Sequence, residues 1–393
     1  MVASYSGLKK PHVKPLFFRT PIFDDESIAS WLIRAAFRQG CSVTTFASYY
    51  WEEYRLWTLD VDKGFNFVNE TIHEDMAILA ETTRERFDFK NLTWLSKGMS
   101  TTTGKYRTTP WVLPLFKRNR HALYGYHYCP VCLEEDKVPY MRLLWRYSWY
   151  TYCHVHAVKM ENRCHSCDAL FQPGLLSQEL QTINHCHSCH EVFTNDYLSN
   201  LLLIPEVFEL QKQAMQVLED KQAVVFGQIV NSIDWFDLIG FFITLTKIAA
   251  RHADNQYKMF RLFNELGLDT SRVSAFSLKE SETGLVFESL PIHERIRYLR
   301  YAKMLLDIPL DKWVCACLAV EANQNSFMFN GKKSILPRAF MPVINQLPMV
   351  EEQKREKRQF DKPATLNAVK KSWARLQKKA NAWAEYEQHL TRK

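Results

Sequence analysis

Four pairs of metal-ligating side chains lie between Tyr128 and Cys189: Cys129/Cys132, Cys153/His156, Cys164/Cys167 and Cys186/Cys189. They take seven of the ten cysteines in the chain. A C-x-x-C turn converges two thiolates on one ion, and two such pairs close a tetrahedron. Four pairs therefore predict two zinc ions per chain. Twenty residues separate the first pair from the second and eighteen the third from the fourth, enough for a hairpin or a short ββα unit that returns to its own ion. Sequential pairing gives one centre of three thiolates and an imidazole (Cys129, Cys132, Cys153, His156) and one of four thiolates (Cys164, Cys167, Cys186, Cys189). A cross-braced arrangement, first pair with third and second with fourth, stays open.

Other chemistries explain less. Disulfides need an oxidising compartment, and the opening M-V-A-S-Y-S-G-L-K-K-P-H-V-K-P has no apolar core of a secretory signal, so the expectation is a cytoplasmic protein with reduced thiols. Cys186 to His190 spells C-H-S-C-H, a formal match to c-type haem attachment, but haem leaves three pairs unexplained. A redox C-x-x-C needs one pair, not four. His154, His165, His185 and His187 read as knuckle or surface residues, and so does His190, although it offers an alternative ligand.

Catalysis is not expected. The chain has no phosphate-cradling, dinucleotide, zinc-protease or nucleophile-elbow motif. Acids such as Asp60, Asp62, Glu74 and Asp75 are scattered, whereas a metal-dependent nuclease gathers carboxylates around its ions.

The elements that position the ligands read as mainly α. With 47% hydrophobic and 24% charged residues the chain folds, and its 393 residues suffice for several cores. No apolar run reaches membrane-spanning length. The expected organisation is a helical domain at 1–97, a linker at 98–127, a double zinc module with short β hairpins at 128–200, a helical domain at 201–350 and a basic helical tail at 351–393. Ile28, Trp31, Leu32, Ala35 and Ala36 share one helix face behind a cap at Asp24 or Asp25, and a second helix carries Phe46, Ala47, Tyr50, Trp51 and Tyr54. Joined at Gly40, the two resemble a helix-turn-helix, although an ordinary αα-corner has the same periodicity. A further pair is expected at Thr71–Thr83, with Thr71 and Glu74 as a capping box, and at Asp88–Ser96. Val138–Tyr152, rich in aromatics, is expected to supply the sheet or hairpin that small zinc modules lack. Helices follow at Pro205–Glu219, Asp234–Ala253, Tyr257–Leu266, Ile292–Leu306, Leu310–Ala322 and Leu336–Leu347.

Candidate contacts fall in three places. Arg107, Lys117, Arg118 and Arg120 interleave with aromatics in the linker, a pattern that clamps nucleic-acid backbone. Twelve Lys/Arg against four Asp/Glu between Lys354 and Lys393 leave the rest of the chain near neutrality, and Lys370, Lys371, Arg375, Lys378 and Lys379 form the cationic face of the tail helix. Trp31, Arg34, Arg38, Tyr50 and Trp51 mark the first helix pair as a partner surface.

Three features resemble the TniQ family of transposon target-selection proteins, which includes the longer TnsD proteins. They are P-I-F-D-D-E-S-I-A-S-W-L-I-R-A-A (Pro21 to Ala36), Y-C-P-V-C-L-E-E-D…P-Y-M-R-L-L-W-R…Y-C-H-V-H (Tyr128 to His156), and the four-thiolate set that follows. The resemblance implies a non-enzymatic adaptor, working as a homodimer, that marks a target and recruits the transposon's AAA+ ATPase and through it the transposase. Some members dock on an RNA-guided Cascade complex, the first expectation here. Others read an attachment-site DNA directly, the alternative.

Overall fold

A computed structural model describes residues 13–52, 56, 60–63, 69–100, 109–115, 125–195, 203–251, 257–269, 287–328, 336–349, 366–367, 369–370, 372–374 and 376–377. Met1–Pro348 and Met349–Lys393 form two compact units.

The first unit opens with α1 (Ile28–Arg38) and α2 (Val43–Trp51), joined through Gly40 at φ +73°. Ser27, not Asp24 or Asp25, caps α1 by accepting the Ser30 N–H at 3.1 Å. The two aspartates are engaged elsewhere, Asp24 with Arg86 at 2.7 Å and Asp25 with the Tyr140 hydroxyl at 2.8 Å. The short Ser27 side chain, directly before the first helical residue, is the one placed to turn back on the orphan amides. α3 (Asn69–Leu79) starts ahead of Thr71, so the expected capping box does not form there. The helix expected at Asp88–Ser96 is two short ones, α4 (Glu85–Asp88) and α5 (Leu92–Ser96), because Asn91 accepts the Trp94 N–H at 3.1 Å and starts a new helix.

Between the metal ligands lies α6 (Pro130–Glu135), and beyond them the periodicity is again helical: α7 (Pro205–Asp220), α8 (Ser232–Arg251), α9 (Lys258–Glu265), α10 (Ile292–Leu306), α11 (Leu310–Ala319) and α12 (Met341–Ile344). α10 packs on α7 and α8, and Phe242 stacks on Trp313 at 5.6 Å over Phe340. The expected Leu336–Leu347 helix is reduced to a 3-10 turn at Arg338–Phe340 and then α12, since Pro337 and Pro342 supply no amide hydrogens. One element was not expected from the sequence. β1 (Gln222–Val225) and β2 (Gln228–Asn231) pair antiparallel through a two-residue turn, Phe226 and Gly227, both at positive φ.

The spacer between the first two ligand pairs is not a sheet. It forms a 3-10 turn at Leu143–Arg146 and single antiparallel bridges, Glu26 with Arg142, Val112 with Tyr147 and Tyr152 with Lys159. Its polar groups are spent on three different neighbours. Towards the N-terminal helices, the Ser27 N–H donates to Met141 O at 2.9 Å and the Leu143 N–H to Asp25 O at 2.7 Å. Arg146, buried, donates to Asp60, Asp62 and Leu113 O at 2.7–3.0 Å. Towards α7, Gln211 accepts from the Thr151 and Tyr152 amides and donates to Tyr152 O at 2.6 Å. Towards α10, Arg295 donates to Ser148 O at 2.5 Å. Sheet formation would use the same backbone groups within the spacer; here they join helices on both sides, which is why residues up to 348 cohere as one unit.

Candidate metal centres

The eight predicted ligands converge in two groups, Cys129, Cys132, Cys153 and His156, and Cys164, Cys167, Cys186 and Cys189. Pairing is sequential, and the cross-braced alternative is excluded by this grouping. In the first centre His156 Nδ1 lies 3.5, 3.3 and 3.5 Å from the sulfurs of Cys129, Cys132 and Cys153. In the second, Cys164–Cys189 and Cys167–Cys186 sulfurs are 3.6 Å apart. A tetrahedron of thiolates about zinc has S···S edges of about 3.8 Å, whereas a disulfide closes to about 2.05 Å. The donor sets and spacings fit two zinc ions.

The local backbone explains the convergence. Cys129 is the N-cap of α6 and its sulfur accepts the Cys132 N–H at 3.4 Å, so the first pair sits at the positive end of a helix turn, which favours thiolate. The other three pairs share a tighter device. Four residues after its first ligand each turns through a left-handed residue: Ala157 (φ +56°), Asp168 (φ +56°) and His190 (φ +62°). The amide of each of these residues donates back to the carbonyl of that first ligand, Cys153, Cys164 or Cys186, at 2.8–3.0 Å. His190 is thereby the pivot of its turn and not a ligand. The expected β hairpins of the modules are correspondingly small, single bridges at Tyr152–Lys159, Arg163–Leu170 and His185–Val192.

Burial and crowding set the electrostatics. Hydrogen bonding with Cys129 and Cys153, then burial, pushes the Cys132 thiol up. Burial drives the Cys164 thiol up to about 12, while the Ala169 amide, then Cys189, holds Cys167 at about 7. Thiolates gathered this closely repel one another, and a divalent ion between them offsets that repulsion. The two centres are tied by Tyr128, whose backbone pairs with Glu161 at 2.8 Å in both directions and whose ring stacks on Phe193 at 4.3 Å.

Residues 17–160 match the TniQ family model. The matched segment is similar to a TniQ domain. That match spans α1 to α5 and the whole first metal centre, and stops short of the second. No curated protein matches the chain. That domain is associated with transposition. No helix among the described residues is long and apolar enough to cross a membrane.

The remaining candidate residues are placed as follows. Trp31 and Trp51 lie inside the core, donating to Thr20 O at 2.8 Å and Asp75 at 3.0 Å. Arg34 is held by Glu26 through two bonds of 2.7 Å and by Pro21 O. Tyr50 is half-buried against Phe46, and Arg38 is exposed. Lys370 is exposed; Arg107, Lys117, Arg118, Arg120, Lys371, Arg375, Lys378 and Lys379 lie outside the described residues. Sequence reasoning missed Glu135, which accepts from His156 Nε2 at 3.0 Å, and Arg146 and Arg295. A carboxylate three residues after Cys132 was a visible signal for the first, and Arg146 ends the P-Y-M-R-L-L-W-R stretch; nothing local marks Arg295.

Proposed function

We propose that this protein, through its TniQ-like segment, is a transposition adaptor that selects the target site and recruits the transposon's AAA+ ATPase and transposase, docking as a homodimer on an RNA-guided Cascade complex in a bacterial cytoplasm. The observation that favours docking on protein over reading DNA is the charge of the α1–α2 pair. Arg34 is neutralised by Glu26, which leaves Arg38 as the cation of the pair with no ion pair among the described residues. Thr44, Thr45, Ser48, Tyr49 and Glu52 make up the exposed side of α2, a neutral to acidic surface. A helix pair that inserts into a groove is flanked by several phosphate-binding cations. This one is equipped for a protein surface. The hydrogen bonds by which the spacer joins helices on both sides support the bridging role, since a bridge needs two surfaces held in one unit.

A second reading, direct recognition of an attachment site, is favoured by the hydroxyls of Thr44, Thr45 and Ser48 on the outward face of α2, which are competent base-edge partners. Binding of the isolated protein to random duplex and to the flanking genomic target at near-physiological salt separates the two. An adaptor binds both weakly and alike; a direct reader prefers its site by about 10³-fold or more. Failure to support target-directed insertion together with the cognate ATPase and transposase overturns both.

A further inference from the structure

Three consecutive acids end α6, and each reaches a different part of the molecule. Glu134 accepts the Asn195 N–H at 2.9 Å, beyond the last ligand of the second centre. Asp136 takes a two-pronged contact from Arg142 at 2.8 and 2.9 Å, in the spacer. Glu135 reaches the ring of a metal ligand, with its Oε2 3.0 Å from His156 Nε2.

His156 faces the three thiolates through Nδ1. A ring that gives its Nδ1 lone pair to a cation carries its proton on Nε2, and that proton needs an acceptor. Glu135 is that acceptor, supplied by the helix that also carries Cys132 and is capped by Cys129, so one element presents two ligands and orients a third. The second centre has four thiolates, no imidazole and therefore no counterpart of this contact.

We propose that Glu135 is a positioning residue of the first metal centre: it fixes the tautomer and ring orientation of His156 and raises the centre's affinity for zinc. The proposal rests on the two-zinc assignment and is independent of any role in transposition. Glu135 is 63% exposed, so its truncation tests the contact with small risk to the fold.

The experiment is zinc competition on the full chain with a chromophoric chelator, resolved into two release steps. Glu135→Ala is expected to weaken one step by about 10–100-fold and leave the other unmoved. Glu135→Gln falls between, because its amide oxygen still accepts while its charge is gone. In a His156→Cys background, where no ring remains to orient, Glu135→Ala no longer weakens either step, and Glu134→Ala leaves both steps as in the parent. Unchanged affinities in Glu135→Ala overturn the proposal. So does a loss shared by both steps, a loss that persists beside His156→Cys, or an equal loss in Glu134→Ala. Should Glu135→Ala not fold, Glu135→Gln with and without His156→Cys decides the matter in the same way.

Discussion

Arg146 and Asp62 form an ion pair of 2.7 Å, eighty-four residues apart in the chain, with both side chains buried. Asp62 also accepts the Ala29 N–H at 2.9 Å inside α1, so this one carboxylate connects the spacer between two metal ligands to the first helix of the protein. Burial raises the Asp62 pKa against the opposing pull of Arg146. The pair is thus costly to isolate. Arg146→Ala is expected to destabilise by about 3–5 kcal/mol, the cost of leaving a buried charge without its partner. Arg146→Lys is not expected to restore stability, because one ammonium cannot span Asp60, Asp62 and Leu113 O as the guanidinium does. Urea midpoints of the three proteins check this; an alanine variant that unfolds with the parent refutes it.

Elemental analysis of the purified chain is expected to give two zinc ions, and Cys129→Ser and Cys164→Ser one each. Structural zinc contributes on the order of 10–16 kcal/mol of apparent binding energy, so loss of either ion loosens its module. A count of one or none, or iron in place of zinc, contradicts the assignment.

The two ions are expected to leave in order. All three cysteines of the first centre are buried, whereas Cys167 and Cys189 of the second are exposed. A chelator therefore strips the second centre first, and Cys164→Ser removes the fast phase of release while Cys129→Ser removes the slow one. The reverse assignment of phases would show that access does not control release.

The left-handed turn at Ala157 carries a Cβ cost that glycine does not have. Ala157→Gly is expected to be neutral or stabilising by up to about 1 kcal/mol, and Ala157→Val, with a branched side chain at the same φ, clearly destabilising. Thermal unfolding of the zinc-loaded proteins distinguishes them, and equal melting of the glycine and valine variants would contradict the strain argument.

Truncation at Gln353 removes the segment that holds the net positive charge of the chain. If the tail contacts phosphates, the truncated protein stays folded and the slope of its nucleic-acid affinity against salt flattens. An unchanged slope makes the tail structural.

Local chemistry is what the sequence alone determined. The eight ligands were legible because C-x-x-C spacing brings two donors together within a single turn, whatever the rest of the chain does. The helices α1, α7, α8 and α10 were legible for a similar reason, since a 3.6-residue period records one buried face. Where several local answers were available, only the tertiary structure chose. Ser27 caps α1 because Asp24 and Asp25 are drawn away by Arg86 and Tyr140. His190 is a turn residue because Cys164, Cys167, Cys186 and Cys189 already complete their tetrahedron. The aromatic spacer has the composition of a strand, yet its backbone groups meet better partners in Asp25, Ser27, Gln211 and Arg295, all distant in sequence. Trp31 and Arg34 lie on one helix and read alike as surface candidates, but one is core and the other is clamped by Glu26. Spacing along the chain fixes which groups share a turn; which of them meet across it depends on packing that no window of sequence contains.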